Sequence, residues 1–402
     1  MFRYRPLDAL LLTLALGLIS AVAVAADGTK PRARDLGVPF VGAPGPLNAI
    51  TDVAGVEVGH VTLISGGGKL VVGQGPVRTG VTAILPRGKR APLDPVFAGW
   101  FTQNGNGEMT GTTWVEDSGE LWGPVMITNT HSVGTVRDAV IAWSIARYKI
   151  DLDDWWSLPV VGETWDGWLN DINGFHVKPE HAFRALDSAA PGPVLEGNVG
   201  GGTGMICYEF KGGIGTASRR VKDPTGDYIL GVLVQANFGR RAQLTVAGVP
   251  VGVAIPEKPA YASRRDPAKS SDMGSIIVVI AVDAPMLPQQ LKRIARRASM
   301  GIAKTGGTAS NSSGDIFIAF STANSGAGTA KELATLKMLP NDRTTAFFQA
   351  TVDATEEAII NALVAADTMT GANDRTVIAL PHDRLVEQLR RYNRLTSSHD
   401  GT

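Results

Sequence analysis

A glycine and a serine stand before an apolar, β-branched segment, although a strand does not need a Gly-Ser step to begin. The segment reads SSDMGSIIVVI, and Gly274-Ser275 leads directly into five apolar residues. If the chain is cut between the two, Ser275 becomes an amino terminus whose α-amine, with an ordinary pKa of about 8, can take the proton of its own hydroxyl. Glycine has no Cβ, so Gly274 leaves room for attack on its carbonyl. A plain turn entering a core strand is the alternative interpretation.

Two further polar positions could support such a nucleophile. In TASNSSGDIFIAF, Ser313 and Asp315 are two residues apart, so on an extended backbone their side chains share one side and could orient or relay protons. In QANFG, Asn237 ends an apolar segment and could donate an amide N–H to a developing oxyanion. A polar turn before a strand and ordinary turn chemistry are the alternatives for these two sites.

Other chemistries find less support in the sequence. The stretch GNVGGGTG (Gly197 to Gly204) lacks the Lys-Ser/Thr of a Walker A loop, so we interpret it as a tight structural loop. The six histidines form no HExxH or comparable spacing, and a GxSxG elbow is absent. Cys207, in a predicted strand, is expected to act as a small buried hydrophobe. We therefore expect no metal and no cofactor.

Short strands alternate with a few helices along the chain. Several of the strands are apolar on both faces, which predicts sheets covered by helices. The predicted strands are Gly80–Leu85, Pro124–Thr130, Tyr228–Phe238, Ser275–Val282, Asp315–Thr322 and Arg375–Leu380. The predicted helices are Val133–Tyr148, Pro288–Ala303 and Ala354–Ala366, the last one capped by Asp353 or Thr355. A polar, proline-containing linker, Pro256–Asp272, delivers the chain to the suspected cut.

Composition and the first residues indicate an exported globular protein. The chain has 402 residues, 44% of them apolar, enough for one large domain or two ordinary ones. Its formal net charge of zero gives no field that would attract nucleic acid or anionic lipid. Residues 1–26 combine Arg3 and Arg5 with an apolar stretch and small residues up to Ala26, which is typical of a signal peptide, with a membrane anchor as the alternative. Export, most simply to the periplasm, is expected, and the single cysteine allows no disulfide within the chain.

Six ordered segments together resemble one enzyme family. The segments are GEMTGTTW, ETWDGWLNDI, GNVGGGTGMICYEFKGGIGTASR, GVLVQANFG, GSIIVVIAVDAP and NSSGDIFIAFSTAN, and the match runs from about Leu36 to about Arg384. They resemble the self-processing serine aminopeptidases that include the L-aminopeptidase/D-amidase-esterase DmpA and the β-peptidyl aminopeptidases.

The resemblance implies a fold, a processing event and an assembly. The fold is an α/β, four-layer αββα sandwich, like the amino-terminal-nucleophile hydrolases but with different strand connectivity. A single catalytic domain is cut into an α chain, residues 27–274, and a β chain, residues 275–402, which stay together. Four such pairs assemble into a homotetramer. The activity removes an unblocked amino-terminal residue from small peptides, amides or esters without a metal.

The same resemblance implies roles for the residues of the cut site. Gly274-Ser275 matches the processed bond and Ser275 the nucleophile. Ser313 and the acid at Asp315 match the pair that supports the nucleophile and its terminal amine.

It also implies residues that bind the substrate. Asn237 matches the side-chain oxyanion donor, assisted by the Gly314 amide, and Glu163 matches the carboxylate that pairs with the substrate's ammonium. Two residues later the L/D-aminopeptidase branch has a tyrosine, where this chain has Trp165, which would shape an apolar pocket. This departure favours β-amino acid substrates over the L-aminopeptidase/D-amidase-esterase alternative. An acylase acting on blocked amines and a secreted non-catalytic binding protein on the same fold are the rival interpretations.

Overall fold

The computed structural model describes residues 30–89, 94–148, 153, 155–261 and 274–396. This part of the chain contains fourteen strands and seven α-helices. The strands are β1 Glu57–Ser65, β2 Val77–Leu85, β3 Val96–Gly105, β4 Glu120–Leu121, β5 Val125–Asn129, β6 Val160–Thr164, β7 Ile206–Cys207, β8 Phe210–Lys211, β9 Gly213–Asp223, β10 Gly226–Asn237, β11 Ser275–Val282, β12 Gly314–Ser321, β13 Met369–Thr370 and β14 Thr376–Val377. The helices are α1 Thr112–Ser118, α2 Val133–Arg147, α3 Pro179–Ser188, α4 Val251–Ala254, α5 Pro288–Lys304, α6 Thr344–Val364 and α7 His382–Arg391.

Two larger β-sheets organise the protein. One has four strands in the order β1-β2-β5-β6, and the other has six in the order β4-β3-β12-β11-β10-β9. In the larger sheet, β11 pairs antiparallel with β10 and parallel with β12. The parallel pair is joined through α5, as parallel neighbours require a crossover.

The alternation of side chains along β11 explains the layers of the fold. Ile277 and Val279 belong to an apolar core shared with residues of β5 and β6, so this face of the large sheet packs on the small one. Ile276 and Val278 belong to a second core, shared with α5 and α6. Because successive strand residues point to opposite faces, a strand in a sheet that is covered on both sides must be apolar along nearly its whole length.

The outer face of the small sheet is covered in the same way. Val81 and Met126 pack with Val136 and Val140 of α2 and with Leu186 of α3 in a third core. The order of layers is therefore α2/α3, small sheet, large sheet and α5/α6, and the predicted four-layer αββα sandwich is confirmed.

Most predicted elements are present, with two corrections. The segment Arg375–Leu380 forms only the two-residue strand β14. Helix α6 begins at Thr344, ten residues before the predicted start, so the prediction that Asp353 or Thr355 caps it is wrong. Both residues are buried in mid-helix. Asp353 is held there by an ion pair with Lys304, at 3.1 Å.

Other sequence predictions concern Cys207, the glycine stretch and the linker. Cys207 is buried in β7, as expected. The glycine stretch includes a buried 3-10 turn, Gly200–Gly202. A Cβ on Gly202 would lie 2.5 Å from the backbone nitrogen of Ile214, so close backbone packing explains the glycine. Residues 1–26 and most of the linker, 262–272, lie outside the described residues. Among the described helices, none is both long and apolar enough to cross a bilayer.

Candidate active site

The peptide bond between Gly274 and Ser275 lies where β11 enters the large sheet. The Ser275 hydroxyl donates a hydrogen bond to the Gly274 carbonyl oxygen, at 2.8 Å. The backbone N–H of Gly314, at the start of the neighbouring strand β12, donates to the same oxygen, at 3.2 Å. The carbonyl next to the nucleophile is therefore already held by a donor that could stabilise negative charge on its oxygen.

Gly274 is glycine because the backbone of β10 runs against it. A Cβ at this position would lie 2.5 Å from the carbonyl oxygen of Asn237 and in still closer contact with the Cα of Phe238. Both obstacles are backbone atoms of a central strand, which cannot turn away as a flexible side chain could. The sequence argument that glycine relieves crowding at this bond has a structural cause.

Asn237 lies directly beside Ser275. It is the antiparallel register partner of Ser275, so the two side chains share one face of the sheet. Its Oδ1 accepts the N–H of Ile206 at 2.8 Å, and its Nδ2 donates to the Trp165 carbonyl at 3.0 Å. These two bonds fix the orientation of the amide. A primary amide nitrogen carries two hydrogens, so the bond to Trp165 leaves a second donor for the site.

Ser313 and Asp315 form a buried pair on the other side of the nucleophile. The Ser313 hydroxyl donates to Asp315 Oδ1 at 2.6 Å, so the expectation that both side chains share one side is confirmed. Gly314, which lies between them, is the parallel register partner of Ser275. The pair therefore sits beside the backbone nitrogen that cleavage would turn into an amine.

Glu163 is the last residue but one of β6 in the small sheet, across the layer from Ser275. Its carboxylate is only 2% exposed. One oxygen accepts the backbone N–H of Glu108 at 2.9 Å, and the other accepts a short hydrogen bond from the Thr130 hydroxyl. Burial raises the pKa of Glu163, and these two hydrogen bonds counteract part of that effect. Within the described residues no Lys or Arg forms an ion pair with this carboxylate, which suits it to receive a positive charge from a ligand.

A cavity of about 240 Å³ is lined by residues from both sheets. Glu163 and Trp165 line it from the small sheet, and Gly274 and Ser275 line it from the large one. Asn237 and Gly314 lie just outside the lining as the register partners of Ser275, and Ser313 and Asp315 flank Gly314. All sequence-predicted site residues are therefore brought together.

Three residues of the cavity wall were missed by the sequence argument. They are Asn106, Thr130 and Ser312. Thr130 directly follows strand β5, the parallel neighbour of β6, and the shared strand edge could have revealed it. Asn106 donates its amide to the Ser312 carbonyl at 2.7 Å and so ties the loop after β3 to the loop before β12. Because the two residues are 206 positions apart in the chain, no local pattern in one sequence predicts that contact.

Trp165 shapes the cavity and does not supply an acid or base. Its ring packs beside a small apolar cluster that includes Trp168 and Ile206. An indole N–H can donate a hydrogen bond but does not titrate near neutral pH.

A buried carboxylate, Asp166, supports this corner of the site. Its oxygens accept hydrogen bonds from the side-chain amides of Asn129, at 3.1 Å, and Asn170, at 3.0 Å. Burial raises the pKa of Asp166 to about 6, against the lowering effect of its hydrogen bonds from Thr79, Asn170 and Asn129. Asn129 precedes Thr130 and Asp166 follows Trp165, so this network ties together the ends of β5 and β6 that line the cavity.

Comparison with known proteins gives relatives along nearly the whole chain. The chain is 57% identical over 393 residues to the beta-peptidyl aminopeptidase BapA of Sphingosinicella microcystinivorans, covering 95% of this chain and 97% of that protein. It is 49% identical over 381 residues to BapA of Sphingosinicella xenopeptidilytica, covering 93% and 94% of the two chains.

A solved structure matches the fold as closely. The L-aminopeptidase D-Ala-esterase/amidase of Ochrobactrum anthropi, described as a variant of the Ntn hydrolase fold, superposes with a TM-score of 0.85 at 50% identity. The match covers 91% of this chain and all of that one. The model of peptidase family S58 matches residues 48–377, which include every residue of the candidate site. From this match and from the site geometry, the chain belongs to peptidase family S58.

Proposed function

We propose that this protein is a self-processing serine aminopeptidase that removes an unblocked amino-terminal residue through an acyl-enzyme on Ser275. The observation that carries the proposal is the shared cavity: the hydroxyl of Ser275 and the buried carboxylate of Glu163 face one space of about 240 Å³. A nucleophile and a buried, negatively charged anchor in one small cavity fit a substrate with a free ammonium close to the carbonyl that reacts.

Self-processing begins with the hydrogen-bonded pair at the cut. Ser275 Oγ attacks the Gly274 carbonyl carbon, and the Gly314 N–H stabilises the oxyanion. The hydroxyl proton passes to the leaving Ser275 nitrogen, so that the amide becomes an ester and a free amine. Water then hydrolyses the ester, which gives a Gly274 carboxylate and restores the Ser275 hydroxyl.

Catalysis reuses the same atoms on an external substrate. The substrate's ammonium binds Glu163, and the Ser275 amine, supported by Ser313 and Asp315, takes the proton of Oγ as it attacks. Asn237 and the Gly314 N–H stabilise the oxyanion, the leaving amine is protonated, and water resolves the acyl-enzyme.

The intact mass of each chain in the purified protein tests self-processing. Two chains, the smaller beginning Ser275-Ile276-Ile277, are expected. A single uncut chain that hydrolyses nothing would favour a binding protein on this fold. An uncut chain that is active would place the nucleophile elsewhere.

We propose β-amino acid residues as the preferred first residue of the substrate. Support comes from the two relatives named beta-peptidyl aminopeptidases and from Trp165, where the alternative branch has tyrosine. Rates on matched β-alanyl, L-alanyl and D-alanyl amides test it, with N-acetylated forms to test the acylase alternative. Trp165→Tyr should raise the rate on α-amides relative to β-amides, and an unchanged ratio would contradict a role for this residue in specificity.

Assembly and location complete the proposal. A homotetramer of cleaved αβ pairs is supported by the family resemblance, and sedimentation of the processed protein tests it. Export to the periplasm is supported by the signal-peptide pattern of residues 1–26, and fractionation of cells expressing the full chain tests it.

A further inference from the structure

A second cavity, outside the active site, is walled by aromatic side chains. It measures about 230 Å³ and opens beside α1 and the start of β6. Four tryptophans line it: Trp114, Trp122, Trp155 and Trp156. Trp114 and Trp156 pack edge to face with ring centroids 5.4 Å apart, and Trp156 is nevertheless 60% exposed. Exposed aromatic surface around a cavity is typical of a binding site for an apolar partner.

A second exposed apolar feature is the segment 326–338, here called the arm. Every residue from 329 to 338 is exposed, among them Leu333, which contacts nothing that shields it, and Leu336 and Met338. The base of the arm is fixed: Asn324 exchanges two hydrogen bonds with the backbone of Lys337, at 2.9 and 3.0 Å. This loop is clamped at its base, and its three large apolar side chains are not covered by any residue in the part of the chain that the structure describes.

The arm begins at the rim of the tryptophan cavity. Gly328 lies so close to Glu120, one of the cavity residues, that a Cβ there would be 2.7 Å from the carboxylate. The Glu120 carboxylate in turn accepts the indole N–H of Trp122 at 2.9 Å. Each copy of the protein therefore carries an exposed apolar arm and an open aromatic cavity side by side.

The charges of the two features also complement each other. The arm carries Lys331 and Lys337 against one acid, Glu332. The chain around the cavity, Thr112–Trp122, carries three acids and no basic residue, and one of these acids, Glu116, is paired with Lys292 of α5. Opposite charges around an apolar contact favour the docking of one on the other and fix its orientation.

We propose that the arm of one copy docks in the tryptophan cavity of a second copy, and that the second arm returns the contact. The arm and the cavity lie side by side on each copy. When each of two copies places its arm in the cavity of the other, the contact closes as a dimer with two-fold symmetry. The inference rests on the proposed self-association and is independent of the proposed chemistry. It assigns to the arm and the cavity a role in holding the copies together.

Charge insertion and truncation test the two halves of the contact. Leu333→Asp alters the arm, and Trp156→Ala alters the cavity. The control is Val253→Asp, at an apolar residue that is as exposed as Trp156 and belongs to neither feature. Sedimentation velocity over a dilution series should show the dissociation constant rising about 100-fold or more for either variant, since two buried side chains are lost per pair. The control should sediment like the unaltered protein.

Mixing separates exchange between copies from closure of the arm on its own cavity. Leu333→Cys and Trp156→Cys, made in separate chains and mixed under mild oxidation, can form the expected disulfide only between copies, because the single native Cys207 is buried. A disulfide in the mixture, absent from either variant alone, is the expected result.

Three outcomes would overturn the inference. A disulfide that forms only when both cysteines are in one chain means that the arm closes on its own cavity. An unchanged oligomer in both Leu333→Asp and Trp156→Ala places the interface elsewhere, with the proposed assembly intact. If the unaltered protein sediments as a single copy, the proposed assembly is wrong as well. Retained amidase activity in that case shows that the proposed chemistry stands.

Discussion

Replacing Glu163 by glutamine tests the substrate-anchoring role with little disturbance of the fold. The carboxylate accepts one hydrogen bond from the Glu108 N–H and one from the Thr130 hydroxyl. A glutamine can keep its oxygen on the Glu108 N–H and turn its NH₂ to Thr130, because a hydroxyl can accept as well as donate. The variant should therefore fold and self-process, and lose only the negative charge in the cavity.

The size of the loss follows from the bond that the substrate would make. A hydrogen bond between charged groups contributes about 1.5–3 kcal/mol net, which corresponds to roughly 10- to 150-fold in kcat/KM. The anchor acts on bound substrate and transition state alike, so the change should appear mainly in KM. Steady-state hydrolysis of a β-alanyl anilide near pH 7 measures it.

The pH dependence of the ratio of wild-type to Glu163→Gln kcat/KM makes the test specific for the charge of Glu163. Burial raises the pKa of Glu163, so the carboxylate is ionised above that pKa and neutral below it. As the pH falls through this pKa, the ratio of wild-type to Glu163→Gln kcat/KM should fall towards one. Titration of the Ser275 amine is common to both enzymes and cancels in the ratio.

Glu108→Gln is the matched control for this experiment. Its side chain is exposed, and its charge contributes to the raised pKa of Glu163. Glu108→Gln should keep kcat/KM near pH 7 within about twofold of the wild-type value. In the Glu108→Gln background, the ratio of kcat/KM with Glu163 to kcat/KM with Glu163→Gln should fall towards one at a lower pH. A ratio that does not change with pH, or a Glu163→Gln variant with wild-type KM, would refute the anchoring role.

Three other predictions concern the cut, the oxyanion and stability. Gly274→Ala should stop processing, because its Cβ would lie 2.5 Å from the Asn237 carbonyl, whereas Gly134→Ala, in open space on α2, should process normally; intact mass reports both, and a cut Gly274→Ala chain would contradict the steric argument. In processed enzyme, Asn237→Ala should lower kcat about 100- to 1000-fold with little change in KM, and an intact kcat would remove this residue as an oxyanion donor. Since burial raises the pKa of Asp166 to about 6 from 3.8, its contribution to stability is complete below pH 3.8 and is lost as the pH rises through 6. Relative to Asp166→Asn, the wild-type free energy of unfolding should therefore fall by roughly 2 kcal/mol between pH 4 and 8 in denaturant titrations, and parallel curves would contradict this.

Where one residue pattern decides the structure, the sequence predicted it well. Strand β11 was predicted with its observed bounds, because six of its eight residues are isoleucine or valine and leave few alternatives. The side-by-side arrangement of Ser313 and Asp315 also followed from strand periodicity alone.

Where distant contacts decide, the sequence argument failed. The sequence argument placed the start of α6 too late, because the acidic residues in its middle resemble the exposed first turn of a helix. In the structure these residues are buried and form ion pairs with basic residues from elsewhere in the chain. Glu357 is paired with Arg34 at 2.7 Å and with Arg219 at 2.8 Å, from segments more than 130 residues away. Strand β6 was missed because it is five residues long and its end carries the charged Glu163. The polar end that obscures the strand is the part that serves the site.

The position of the proposed cut within the large sheet has a consequence for how the processed enzyme can fold. Strand β11 pairs on one side with β10, which precedes the cut, and on the other with β12, which follows it. Before cleavage, refolding is a first-order reaction of one chain. After cleavage the same sheet must be rebuilt from two chains, so refolding becomes second-order and depends on protein concentration. The lifetime of the processed enzyme therefore depends on how slowly it unfolds and not on how readily it refolds, which is kinetic stability.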